Sequence, residues 1–183
     1  MGADPAPTVR VWDRVVRVLH WALVAAVVLS AITAFAPIDA HQPAGYAALA
    51  IVLLRVLWGG MGSRRARFTA FVRGPGATWR YVRALLCRHA PRHLGHNPLG
   101  AWMVVALIAC VSALALTGWL YTTDAFWGSE VVEDLHRACA WLLLGLVVAH
   151  VAGVIFTSLR QRENLVAAMW SGRKRAPREY DID

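Results

Sequence analysis

The sequence predicts an all-α integral membrane protein, a bundle of four transmembrane helices. Three observations predict it. Of the 183 residues 58% are hydrophobic and only 16% charged, against roughly 45–50% and about 25% in soluble domains, and the mean hydropathy is +0.47. Four runs are long and apolar enough, at about 20 residues each, to cross a hydrocarbon core. The basic residues cluster between those runs. Four spans with their connections use most of the chain, so a single membrane domain, 1–183, is expected. Disordered, collagenous and disulfide-stapled proteins are excluded by the same composition.

The first span is expected over about 15–37, where Val18 to Ile38 carry no Asp, Glu, Lys or Arg. Arg10, Arg14 and Arg17 precede it and Ala34-Phe35-Ala36 follows near its end, so a secretory signal peptide is the competing reading. The run exceeds a signal core, and three further spans need a first partner. The second span, about 41–61, holds one charge, Arg55, and the third, about 99–121, holds none. Asn97-Pro98 opens the third as helix cap and first-turn proline. The fourth, about 130–159, starts on Glu130, which suits the positive end of a helix dipole. Between spans two and three lies a basic loop, 62–98, in which Thr78 to His89 fit a short surface helix with arginines toward lipid phosphates. Residues 160–183 form the last segment, and 173–183 read as a solvated tail.

A net charge of +8 and a pI near 10.4 would suggest nucleic acid as a partner for a soluble domain. The placement of the charges excludes that reading here. Nine arginines lie between Arg55 and Arg92, six cations between Arg160 and Arg178, and three before the first span, leaving only Arg137. Arginine-rich short loops stay in the cytoplasm, so both termini are expected inside. The outer connections hold Asp39, Asp124, Glu130, Glu133 and Asp134. Trp12, Trp58, Trp102, Trp119, Trp127 and Trp170 fall near span ends, where indole rings anchor at the headgroups. Cys87, Cys110 and Cys139 have neither CxxC nor CxxCH spacing and read as packing residues.

Four of the seven histidines fall in or at the spans. His136 and His150 are 14 residues apart, close to four helical turns, which puts both rings on one face about 21 Å apart. Following the chain direction, His150 shares the inner level with His20, and His136 the outer level with His41. Polar side chains in a membrane interior turn toward a partner or cofactor, so two stacked pairs, His20 with His150 and His41 with His136, point to two metal centres. Arg55 is also 14 residues beyond His41 and needs an anion at the inner level. A haem propionate would supply it; snorkelling to the interface is the alternative. Zinc or iron bound directly is a second alternative for the histidines, but no carboxylate or thiolate accompanies them. Bis-imidazole haem leaves no open position on iron and favours electron transfer. His89, His93 and His96 are broken up by Pro91 and Gly95 and read as solvated or headgroup-facing loop residues.

The chain resembles the prokaryotic cytochrome b561 family, which includes the b-type cytochrome subunits of nickel–iron hydrogenases. The resemblance is carried by Val11-Trp12-Asp13, Leu19-His20-Trp21, His41-x-x-x-Gly45, Arg55-x-x-Trp58-Gly59 and Ala66-Arg67-Phe68. It continues through Leu94 to Gly100, Thr117-Gly118-Trp119, the His136 and His150 pair, Asn164-Leu165 with Met169, and Gly172-Arg173-Lys174-Arg175. It implies a bacterial inner-membrane bundle with two non-covalent b haems, ligated by His20 and His150 at the inner level and His41 and His136 at the outer. Arg55 is then the candidate propionate partner. The implied function is electron transfer across the membrane between the quinone pool and a periplasmic cytochrome c or other redox protein. Hydrogenase subunits usually have a further span, a departure that favours a stand-alone cytochrome. Competing functions are superoxide oxidation at the outer haem with quinone as acceptor, a haem-bearing anchor for a hydrogenase or dehydrogenase, and a histidine-lined metal transporter. The acidic outer loops leave only Arg137 to attract superoxide.

Overall fold

The computed structural model describes residues 7–178 and 180–182. In chain order it comprises β1 (Thr8–Arg10), α1 (Arg14–Ile32) with a 3₁₀ turn at Thr33–Phe35, α2 (Ile38–Met61), α3 (Phe68–Phe71) and α4 (Pro75–Leu86). The long helices α5 (Pro98–Tyr121) and α6 (Glu130–Gln161) follow, then α7 (Leu165–Ser171) and β2 (Arg173–Arg175). Among the described residues four helices are long and apolar enough to cross a membrane: α1 with its 3₁₀ turn, α2, α5 and α6. The 24 residues of α2 and of α5 rise about 36 Å at 1.5 Å each. The chain is a multi-pass helical membrane protein.

Local chemistry sets the helix ends. Asp13 caps α1 by accepting the Val16 N–H at 2.8 Å, and Pro37 separates α1 from α2. Helix α2 begins at Ile38, three residues before the expected start, so Asp39 lies in its first turn. Asn97 caps α5 as expected, its Oδ1 accepting the Gly100 N–H at 2.8 Å, and Pro98 opens the helix. Pro75 starts α4, which moves the surface helix from 78–89 to 75–86.

One compact unit, residues 18–57 and 104–149, is built from all four long helices. Its core is Ala26 of α1, Ala48 and Val52 of α2, Cys110 and Val111 of α5, and Leu143 of α6. The small side chains among them, Ala26, Ala48 and Cys110, let helices approach closely, as lipid-embedded interfaces require. Ala26 and its packed neighbours Leu23 and Val27 make α1 a structural member of this unit. The outward apolar residues, such as Leu29, Leu53, Leu142 and Val148, are exposed, an arrangement suited to lipid and not to water.

The second unit comprises residues 7–17, 58–103, 150–178 and 180–182. Here the expected solvated tail is overturned. Strand β2 pairs antiparallel with β1, Val9 opposite Lys174, and Ile182 bridges to His93. Gly172 makes the turn possible: its φ is 79° and a Cβ there would lie 2.7 Å from the Trp12 carbonyl. Its own carbonyl accepts the N–H groups of Val11 and Trp12 at 2.9 and 3.2 Å. Lys174 is buried with its ammonium 5.5 Å from the Trp12 ring. The stem and charge of a lysine both gain from an indole face, a gain that a charge count along the tail does not register.

Trp12 is likewise 6% exposed, a core residue of this unit instead of an interfacial anchor. His96 packs against it at 4.7 Å and against Phe71 at 4.5 Å, and His93 meets Tyr81 edge-on at 5.3 Å. These two histidines are therefore packed rather than solvated, and only His89 is exposed. The unit is tied by Arg92, which pairs with Glu163 at 2.9 Å and with Asp181 and donates to the Arg175 carbonyl. Asp13 accepts from Ser63 and from Trp58 Nε1 as well as from Val16. Burial pushes its carboxyl upward, but these hydrogen bonds outweigh it and hold the pKa below the usual value.

Candidate haem-binding site

The apolar unit brings two of the four predicted histidines together. His41 stands one turn into α2 and His136 two turns into α6, and their ring centroids are 6.2 Å apart with planes at 87°. Two imidazoles each about 2 Å from one metal through a ring nitrogen would have centroids about 6 Å apart, so the spacing leaves room for one metal ion between the rings.

The other ring nitrogens are already engaged. His41 Nδ1 lies 3.1 Å from the Ser30 carbonyl. A carbonyl only accepts, so this nitrogen carries the proton and Nε2 presents the lone pair. His136 Nδ1 lies 3.0 Å from Thr117 Oγ1, whose own hydroxyl is within reach of the Ala113 and Leu114 carbonyls at 2.9 and 3.1 Å. Ligating histidines characteristically donate the second N–H in this way. Gly118, next to Thr117, leaves room for the ring: a Cβ there would lie 3.3 Å from His136 Cε1. Gly45, one turn beyond His41, faces open space, with nothing within 4 Å of a Cβ. The pair thus fits a flat, apolar, bis-imidazole-ligated group. Among the described residues no group of three or more His, Cys, Asp or Glu forms a cage for a bare metal ion.

The remaining predicted residues are placed separately. His20 is half-buried on α1, edge-on to Trp21 at 5.2 Å, and His150 is half-buried on α6. They belong to different units, so their pairing rests on the sequence spacing. Arg55 lies on α2 and is 8% exposed, which disfavours snorkelling. Arg137 pairs at the surface with Glu133 at 2.5 Å and Asp134 at 3.4 Å. Ser30, Thr33, Thr117 and Gly118 were not singled out as neighbours of the histidines by spacing. Thr117-Gly118 stood out only within the family motif.

A four-span helical protein with a half-buried facing histidine pair is a membrane cytochrome in outline. The sequence profile described as prokaryotic cytochrome b561 matches residues 11–172, and the chain belongs to that family, as a b-type cytochrome. Three relatives named "Probable Ni/Fe-hydrogenase B-type cytochrome subunit" are similar over nearly their whole length. The protein of Bradyrhizobium diazoefficiens is 24% identical over 92% of this chain and 86% of its own. That of Rhizobium leguminosarum bv. viciae is 22% identical over 91% and 89%, and that of Cupriavidus necator 25% over 88% and 85%.

Proposed function

We propose that this chain is a di-haem cytochrome that carries electrons across the bacterial inner membrane between the quinone pool and a redox protein at the outer face. The observation that carries the proposal is the His41–His136 pair, spaced for one iron and with each Nδ1 directed at an acceptor. A bound haem supplies one-electron chemistry between ferric and ferrous iron. His41 and His136 would hold it through their imidazoles, leaving substrates no place on the metal and favouring electron transfer. His20 and His150 are the ligands of the second, inner centre, and Arg55 is the partner of a propionate. The arginine-rich segments keep both termini cytoplasmic.

The names of the three relatives favour a nickel–iron hydrogenase as the redox partner, with this chain as its haem-bearing membrane subunit; a periplasmic cytochrome c is the other candidate. Acidic Asp124, Glu130 and Glu133 are exposed and would complement a basic docking patch. The test is to add quinol to the purified cytochrome in liposomes and follow haem absorbance, and to purify the tagged chain from native membranes. Haem reduction by quinol and a fixed ratio to a nickel-containing subunit are expected. No reduction by quinol would overturn the quinone link, and a chain free of nickel but bound to a cytochrome c would replace the hydrogenase.

A further inference from the structure

Each histidine of the facing pair is held by a different kind of acceptor, and the difference has a redox consequence. On α2, His41 Nδ1 meets the main-chain carbonyl of Ser30 at 3.1 Å, and the Thr33 hydroxyl is farther away at 3.4 Å. That hydroxyl lies 2.8 Å from the Leu29 carbonyl, to which it donates. On α6, His136 Nδ1 meets a side-chain oxygen, Thr117 Oγ1, at 3.0 Å. The threonine proton is directed back along α5 to Ala113 or Leu114, so the oxygen turns a lone pair to the ring.

We infer that Thr117 is a positioning residue that sets the reduction potential of the His41–His136 centre by accepting the Nδ1–H of His136. This rests on the reading of the pair as axial ligands. The physical reason is polarisation. An acceptor on Nδ1–H raises the basicity of Nε2, and a more basic ligand stabilises ferric over ferrous iron. The threonine is itself polarised by donating to the helix, which strengthens its lone pair as an acceptor. The His41 acceptor is main chain and insensitive to side-chain substitution, so Thr117 is the adjustable side chain of this centre. It does not touch the metal. Its effect passes through the imidazole.

The test compares wild type with Thr117→Val, Thr117→Ser and, separately, His136→Ala. Haem per chain is measured by pyridine haemochrome, and both midpoint potentials by redox titration with low-temperature spectra. Thr117→Val keeps the shape of threonine but not the acceptor. It is expected to retain both haems, because His41 and His136 are both still present, and to shift one potential upward. The reduction equilibrium should move by up to about tenfold, about 59 mV for one electron. Thr117→Ser should return that potential to the wild-type value. Two unchanged potentials in a fully loaded Thr117→Val would overturn the inference. If Thr117→Val loses a haem, retention with wild-type potential in Thr117→Ser supports the hydroxyl, whereas loss in both assigns Thr117 to packing alone and overturns it. His136→Ala tests the ligand reading by itself: a variant that keeps both haems defeats that reading whatever Thr117 does.

Discussion

The imidazole of His136 stands edge-on to that of His41, with ring planes at 87° and centroids 6.2 Å apart. As a bare aromatic contact such a pair is worth only about 0.5–1.5 kcal/mol, too little to explain two polar rings within an apolar bundle, where uncompensated polar groups cost more. The hydrogen bonds to Ser30 and Thr117 account for one nitrogen of each ring. In the proposed reading a shared iron accounts for the other.

Gly118→Ala should disturb this centre selectively. The added methyl would sit 3.3 Å from His136 Cε1 and 3.6 Å from Nδ1, so the ring must give way or the helices part. The expected result is a lowered content or an altered spectrum of one haem and an unaffected second haem. Gly145→Ala, where a Cβ meets nothing within 4 Å, should leave both unchanged. Equal behaviour of the two variants in a haem-resolved spectrum would contradict the packing assigned to Gly118.

Arg92→Ala should loosen the C-terminal segment without emptying the haem site. Arg92 and Glu163 have side chains only 8% and 9% exposed, and Asp181 shares the same guanidinium. Removing one member leaves buried carboxylates without their cation, a change that costs about 3–5 kcal/mol. Limited proteolysis should release residues beyond Ser171 far faster than from wild type, with the haem spectrum retained. Wild-type resistance would show that the strand pairing alone holds the segment.

Stability of the same segment should rise with pH through the alkaline range. Burial, reinforced by Arg92 and Arg65 and opposed by Glu163, lowers the Lys174 pKa from 10.5 to about 8. The unfolded segment then binds more protons between those values, so stability increases from about pH 8 to about 10.5 and is lost as pH falls through 8. The full effect is about 3 kcal/mol. Lys174→Met keeps the stem and removes the titration. The difference in thermal midpoint between wild type and this variant should change with pH across that window, to the advantage of wild type as pH rises. A gap independent of pH would contradict the shifted lysine.

Much of this architecture was legible in the sequence because lipid imposes a length and a polarity on each span. The four helices, the Asn97 cap and the meeting of His41 with His136 follow from run length, local capping and helical period. The tail was not legible. Lys174 is brought to Trp12 by a strand pairing with Val9 across 165 residues, and three-residue strands carry no periodic signal. His93 and His96 were misplaced for the same reason: polarity along the loop says nothing of Tyr81, Trp12 and Phe71 closing over them. The acceptors Ser30 and Thr117 escaped notice because a carbonyl or hydroxyl in an apolar helix ordinarily serves its own helix. Only proximity to a ring distinguishes them.

Haem per chain, counted by pyridine haemochrome in the detergent-purified protein and in His41→Ala and His136→Ala, decides whether these two histidines hold one iron. Two b haems are expected in wild type and one in each variant, with the same spectral component missing from both. Two haems retained in either variant, or different components lost from the two, would contradict the assignment of His41 and His136 to a single iron.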